Sequence, residues 1–437
     1  MGKVNRLRLI NIGLTVAGLI SILFFILCGK KKMAYDEFNF VPNIFLLDKE
    51  GLTKSFLLNI KGSAGPTYAI YHHLFFDAQS FDITSVRLAN YFLLLVLLCF
   101  IFLNARLLQY KDPLILTLNF IVIPFAWVFC GLGLTEIPAM SFATMGFYLL
   151  LKGLITAIQF QYKFLYSLGA GMLFSFAILG RSFYLMAIIA VFVWLIINLL
   201  LENEEFRSGC KRFPFFSSKG QGLLLIVIFM ISSLVLPLMV FDIWGALTPP
   251  LGTEAVGAKQ LAIVPWYGIL AFAYSGSIAL ILAPSFFVVN RKVVYSFLAI
   301  TLLLVLSNLF LNVYEFIPLH TTMERLLPAN LFLYYGRVLP GIFASVSLYF
   351  IYSTACRLWA NRNDSIYLLI GIITLFIVFA TVKVTTQFSS RYVGQVLPFF
   401  VLLFAPYEKI NWQKIVRISL GLFIGILSLY SYYTVKY

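Results

Sequence analysis

The sequence predicts an all-α, polytopic membrane protein, and three observations carry that reading. Hydrophobic residues make up 61% of the 437 residues and charged residues 11%, against about 45–50% and about 25% in an ordinary soluble domain. The apolar residues come in runs close to the roughly 20 residues that a helix needs to cross a bilayer. The 32 basic residues sit mostly in short clusters between those runs, so the net charge of +15 reads as a topology signal rather than as nucleic-acid binding. A soluble fold has nowhere to hide so much apolar surface, and a disordered chain would not carry it.

The first run, 9–28, matches one bilayer thickness. No A-x-A-like site follows it, and Leu27 before Cys28 is too large for a lipoprotein signal, so it is expected to stay as an anchor. Further spans are expected at 88–104, 113–133, 137–151, 164–179, 183–201, 223–241, 266–289, 293–311, 339–356, 366–382, 392–405 and 418–430. Two very short connections, around Glu136 and Arg181, set the range at about 11–13 spans. The chain is expected to be a single membrane domain, 1–437, with no separate soluble domain. Its one long extracytoplasmic loop is 29–87. The five cysteines form no C-x-x-C pair, and the three histidines give no metal spacing.

Basic residues in short loops set the orientation. With the N-terminus cytoplasmic, 18 of the 32 Lys and Arg fall inside, and half of the other 14 lie in or at the end of the 29–87 loop, where long loops count less. Lys30-Lys31-Lys32 in that loop point the other way. Of the 17 acids, six fall inside, eleven outside and none mid-span. An ion-coupled transporter usually needs intramembrane charges or paired broken helices, neither of which the sequence suggests. Polar chemistry is instead concentrated at the outer surface.

Four places stand out there. Asp36-Glu37 opens an apolar stretch too short to span, 38–47, which fits an interfacial helix with the acids at its N-terminus; two solvated capping acids are the plainer alternative. A second interfacial stretch, 65–76, contains Tyr68, His72 and His73. Glu136 sits in a tight turn, where desolvation is costly unless the carboxylate is used or paired; the alternative is an N-cap with Pro138 in the first turn. Arg181 and Arg391 lie at the outer ends of spans. There they serve either as snorkelling anchors or as phosphate ligands.

The pair Asp36-Glu37 with Pro42, the element Gly65-Pro66-Thr67-Tyr68, Thr135-Glu136 followed by Arg181-Ser182, and Arg391-Tyr392 with Pro398 together resemble the GT-C glycosyltransferases. The first piece is similar to the dolichyl-phosphoglucose-dependent α-1,2-glucosyltransferases, and the last to bacterial members related to the protein mannosyltransferases and aminoarabinose transferases. Gly65 stands where that family usually has a second proline. The resemblance implies an inverting transfer of a sugar from a polyprenyl-phosphate (dolichyl or undecaprenyl) donor to a hydroxyl of a glycan, lipid or protein acceptor. The reaction would run on the extracytoplasmic face of a bacterial inner membrane or an ER-type membrane.

Asp36 is then the expected base, with Glu136 as the rival, and Glu37 or Glu136 orients hydroxyls. Arg181 and Arg391, with Lys61, are expected to hold the donor phosphate, and Tyr392, Tyr68 and His72 to line the substrate. The leaving group needs positive charge rather than a general acid, and the acceptor needs a base. There is no DxD-type pair, so no obligatory metal or other cofactor is expected beyond the lipid-linked donor. A transporter or flippase and an O-antigen polymerase or ligase are the rival readings.

Overall fold

The computed structural model describes residues 3–29, 31–74, 82–156, 159–201, 219–252, 263–314, 316–318, 320, 323–324, 327–384 and 388–434. Among them there are helices and turns and no strand. Among the described residues, eleven helices are long and apolar enough to cross a membrane. Several expectations lie outside the described residues: Lys30, the end of the second interfacial stretch from Phe75 on, and the acids Glu202, Glu204, Glu205, Glu254 and Glu315.

The chain opens with α1 (Lys3–Cys28), followed by four short helices in the long loop: α2 (Glu37–Phe40), α3 (Pro42–Glu50), α4 (Lys54–Asn59) and α5 (Thr67–His73). Helix α6 (Ile83–Leu107) returns, and α7 (Pro113–Val122), α8 (Ala126–Gly131), α9 (Glu136–Ile155), α10 (Phe160–Gly180), α11 (Leu185–Leu201) and α12 (Lys219–Trp244) follow. The rest is α13 (Pro265–Leu282), α14 (Arg291–Leu311), α15 (Ala329–Ala360), α16 (Ser365–Phe379), α17 (Ser390–Gly394), α18 (Leu397–Phe404) and α19 (Trp412–Thr434). Helix α9 and the span begun by α16 lie at the centre, while α14 lies at the rim with nearly its whole surface outward.

Two expected spans are not continuous helices. Over 113–133 the helix stops at Val122 and restarts at Ala126. Pro124 drives the preceding residue out of the helical region, and Ile123 is extended at φ −80°, ψ 117°. Trp127 repairs the break by donating its indole N–H to the Ile121 carbonyl at 2.9 Å, which is how an interrupted backbone is tolerated at membrane depth. Over 392–405 the helix changes course at Gln395–Val396, and Pro398 sits in the first turn of α18. Helices α7 and α18 pack on each other. The absence of broken helices expected from the sequence is therefore corrected: prolines inside apolar runs leave hydropathy unchanged but remove a backbone donor.

Both interrupted segments still run from one end of the bundle to the other. At one end Arg8 pairs with Asp112 at 2.8 Å, Asn119 donates to Glu408 at 2.9 Å, Lys414 pairs with Glu408, and Trp194 donates to Ser365. At the other end Asp36 meets Arg391, Thr67 donates to the Phe176 carbonyl, Trp244 to that of Leu57, and Tyr433 to that of Gly131.

The long loop is folded onto that second end. Asn43 closes a two-bond clamp with the Lys61 backbone, 2.9 Å each way. Gly65 approaches so closely that a Cβ there would stand 2.1 Å from the Leu179 carbonyl oxygen. A residue with a Cβ, proline included, would not fit there.

Candidate functional site

At the loop-covered end, four charged side chains from four separate segments form one chain. Arg391 Nη2 donates to Asp36 Oδ2 at 2.6 Å. Arg391 Nη1 lies 3.5 Å from Glu136 Oε1. The same Glu136 oxygen accepts from Arg181 Nη2 at 2.5 Å. The order is thus Asp36, Arg391, Glu136, Arg181, with alternating sign. Asp36 comes from the turn after α1, Glu136 opens α9, Arg181 follows α10, and Arg391 lies in α17. The residues that the sequence singled out from distant places converge on one site.

Beneath it lies a second ion pair. Glu37 Oε1 accepts from Arg87 Nε at 2.8 Å and from the Gly133 amide at 2.7 Å. Its Oε2 accepts from Arg87 Nη2 at 2.6 Å and from the Ala34 amide at 2.7 Å. Arg87 also donates to the Lys32 carbonyl. The sequence offered Glu37 as a partner for substrate hydroxyls, but both its oxygens are given to protein donors. Its place is to fix the segment before Asp36 to the turn before Glu136. Asn90 holds that turn too, donating to the Leu132 and Leu134 carbonyls at 3.1 and 2.7 Å.

The three arginines share one construction. Each pairs with a carboxylate and lies over an aromatic ring: Arg87 over Tyr433 at 4.9 Å, Arg181 over Phe40 at 5.5 Å and Arg391 over Tyr35 at 4.6 Å. A planar guanidinium satisfies both demands, while a lysine ammonium does not. Their accessibility is graded. Side-chain exposures are 1% and 0% for Arg87–Glu37, 5% and 0% for Arg181–Glu136, and 9% and 28% for Arg391–Asp36.

Tyr35 is a site residue that sequence reasoning missed. Its backbone adopts φ 55°, a left-handed conformation that costs a bulky residue strain and tends to persist at functional sites. That turn puts its ring under Arg391 and edge-on to Tyr432 at 5.1 Å. Burial pushes the Tyr35 phenol up to about 12; Asp36 adds to the shift and Arg391 opposes it.

The remaining predicted residues divide. Tyr392 is half-buried in the field of Arg181, Arg391, Glu136 and Asp36, with its ring against Phe183. Tyr68 is buried and donates to the Gly133 carbonyl at 2.7 Å, so it braces the turn. His72 is buried against Tyr68 and Tyr71, with Nδ1 2.8 Å from the Tyr68 carbonyl. Burial pulls it down to about 4. Lys61 keeps its backbone in the Asn43 clamp and its side chain exposed.

Among the described residues no group of three or more His, Cys, Asp and Glu is arranged to hold a metal ion. A separate cavity of about 360 Å³ lies between α11 and α12, lined by apolar residues such as Phe192, Leu195 and Met230. It shares no residue with the ion chain and suits lipid tails rather than chemistry. No protein family, no curated protein and no solved structure matches the chain.

Proposed function

We propose that the protein is an integral-membrane glycosyltransferase of the GT-C type. It moves a sugar from a polyprenyl-phosphate donor to an acceptor hydroxyl at the extracytoplasmic face. The observation that carries this reading is the single chain of Asp36, Arg391, Glu136 and Arg181 under a folded interfacial loop. The four charges cancel, so a donor phosphate is bound by exchange: its oxygens take the place of Asp36 on Arg391. That exchange frees the Asp36 carboxylate only when donor is present. The acceptor oxygen then attacks the anomeric carbon as the bond from that carbon to the phosphate oxygen breaks. The hydroxyl proton passes to Asp36, and the bonding pair leaves on the polyprenyl phosphate. Glu136 stays between the two arginines and holds them at a fixed separation.

The test is transfer of labelled sugar from a panel of polyprenyl-phosphate hexoses by the purified chain in vesicles containing extracted membrane acceptors. Wild type is expected to transfer from at least one donor, and Asp36→Asn to bind that donor without transferring it. No transfer from any donor, or full activity in Asp36→Asn, refutes the reading.

A second reading, a transporter or flippase, is favoured by the paired interrupted helices, 113–131 and 390–404, since such pairs line substrate paths. It predicts movement of the labelled lipid between leaflets with its sugar still attached.

A further inference from the structure

Beside the ion chain, whose Arg181 Nε and Arg391 Nη1 also make no hydrogen bond, three buried side chains hold polar atoms that pair with nothing in the protein: Thr135 Oγ1, Glu136 Oε2, and both Nε2 and Oε1 of Gln395. All three residues are fully buried. They lie on the segments that carry the ion chain. Thr135 precedes Glu136, and Gln395 lies one helical turn beyond Arg391, its backbone N–H donating to the Arg391 carbonyl at 3.3 Å. Tyr184, which lies in the field of Glu136 and Arg181, donates to the Gln395 carbonyl at 2.7 Å. Buried polar groups are almost always paired, and each exception asks for a reason. An apolar residue at 395 would serve packing better.

The unpaired atoms have a definite chemistry. Glu136 Oε2 only accepts, the Gln395 amide both donates and accepts, and the Thr135 hydroxyl does either. A phosphate would be repelled by Glu136. A set that alternates donors and acceptors suits neutral hydroxyls, each of which gives one hydrogen bond and takes another.

We propose that Gln395, with Thr135 and Glu136 Oε2, reads the hydroxyls of an uncharged sugar ring, next to the phosphate held by Arg391. This rests on the lipid-phosphate-sugar reading above and adds its specificity element, a site for neutral hexoses.

The test uses the full-length purified chain in nanodiscs and compares binding of undecaprenyl phosphate with that of undecaprenyl-phosphate-linked neutral hexoses. In wild type at least one hexose should tighten binding about tenfold over the bare phosphate, the worth of one or two well-made hydrogen bonds. Gln395→Met keeps the volume and removes the amide. It should bind bare phosphate as wild type does, lose the tenfold increment, and unfold at the wild-type temperature or higher. Thr135→Val, the second variant, should lose part of the increment. If Gln395→Met keeps the increment, or if no neutral hexose adds to phosphate binding in wild type, the sugar-reading assignment is overturned while the phosphate site stands. If wild type binds neither lipid, the lipid-phosphate reading itself falls, and this inference with it.

Discussion

Glu37→Gln tests whether the inner ion pair positions the site. The substitution keeps the side-chain shape and removes its charge. In the native protein the carboxylate accepts four bonds, two from Arg87 and one each from the Ala34 and Gly133 amides. Glutamine retains one accepting oxygen and turns the other into a donor that faces two donors. The Arg87 charge loses its hydrogen-bonded counter-charge at 1% exposure. Removing one partner of a buried ion pair costs about 3–5 kcal/mol. Unfolding entropy runs near 2.1 cal/mol/K per residue, so for 437 residues the midpoint should fall by roughly 3–5 °C. The assay is thermal unfolding of the detergent-purified chain followed by tryptophan fluorescence. Replacing both partners, Glu37→Leu with Arg87→Met, should recover most of the loss, because the exchange of a whole buried pair for apolar residues is often near neutral. A midpoint within about 1 °C of wild type for Glu37→Gln would refute the reasoning. So would a double variant whose loss equals the sum of the single losses.

Further predictions follow from neighbouring contacts. Arg391→Lys should weaken polyprenyl-phosphate binding about tenfold, because an ammonium cannot bridge Asp36 and Glu136 while lying flat on Tyr35; a binding titration checks it. Gly65→Ala should destabilise by about 1–3 kcal/mol, since its Cβ would strike the Leu179 carbonyl; thermal unfolding reads this directly. His72 is held near 4, below the unfolded value of about 6.5. The unfolded chain therefore binds the proton first, and His72 contributes stability that is full above about pH 6.5 and is lost as pH falls towards 4. His72→Phe should flatten that part of the midpoint-versus-pH curve relative to wild type.

Hydropathy and the placement of acids made the helical membrane fold legible, and with it the four residues of the ion chain. Asp36, Glu136, Arg181 and Arg391 are conspicuous because charge is scarce at the ends of apolar runs. What the sequence concealed has a common cause: those residues look ordinary one at a time. Arg87 reads as a topology charge at a loop end, and only the fold shows it buried against Glu37. Tyr35 is one of 24 tyrosines, and its left-handed backbone leaves no mark in composition. Gln395 sits inside an expected span and carries no charge. The interrupted helices had a visible signal in Pro124 and Pro398, which a hydropathy window averages away. Asn90 carried another: an amide in an apolar helix asks for carbonyls to bind, and it finds those of Leu132 and Leu134.

The gradation of the three arginine pairs decides where a ligand can enter. Each pair is built alike, so the intrinsic strength of the contacts does not separate them; access to water does. The Arg87–Glu37 and Arg181–Glu136 pairs are buried on both sides. Opening either would strand a charge away from solvent, at several kcal/mol. The Arg391–Asp36 pair has one partly exposed partner, and a carboxylate that leaves it is met by water. An incoming anion therefore exchanges at Arg391 before it disturbs anything deeper, and the carboxylate it releases is Asp36 rather than Glu136. Under the proposed glycosyl transfer, this ordering favours Asp36 over Glu136 as the base. Glu136 has its counter-charges on both flanks and no exposure, while Asp36 is partly exposed at the edge of the ion chain. If Glu136 were the base instead, Asp36→Asn would keep transfer and only alter donor binding, and Glu136→Gln would abolish transfer with Asp36 intact. Comparing the two variants under single-turnover conditions tells the assignments apart.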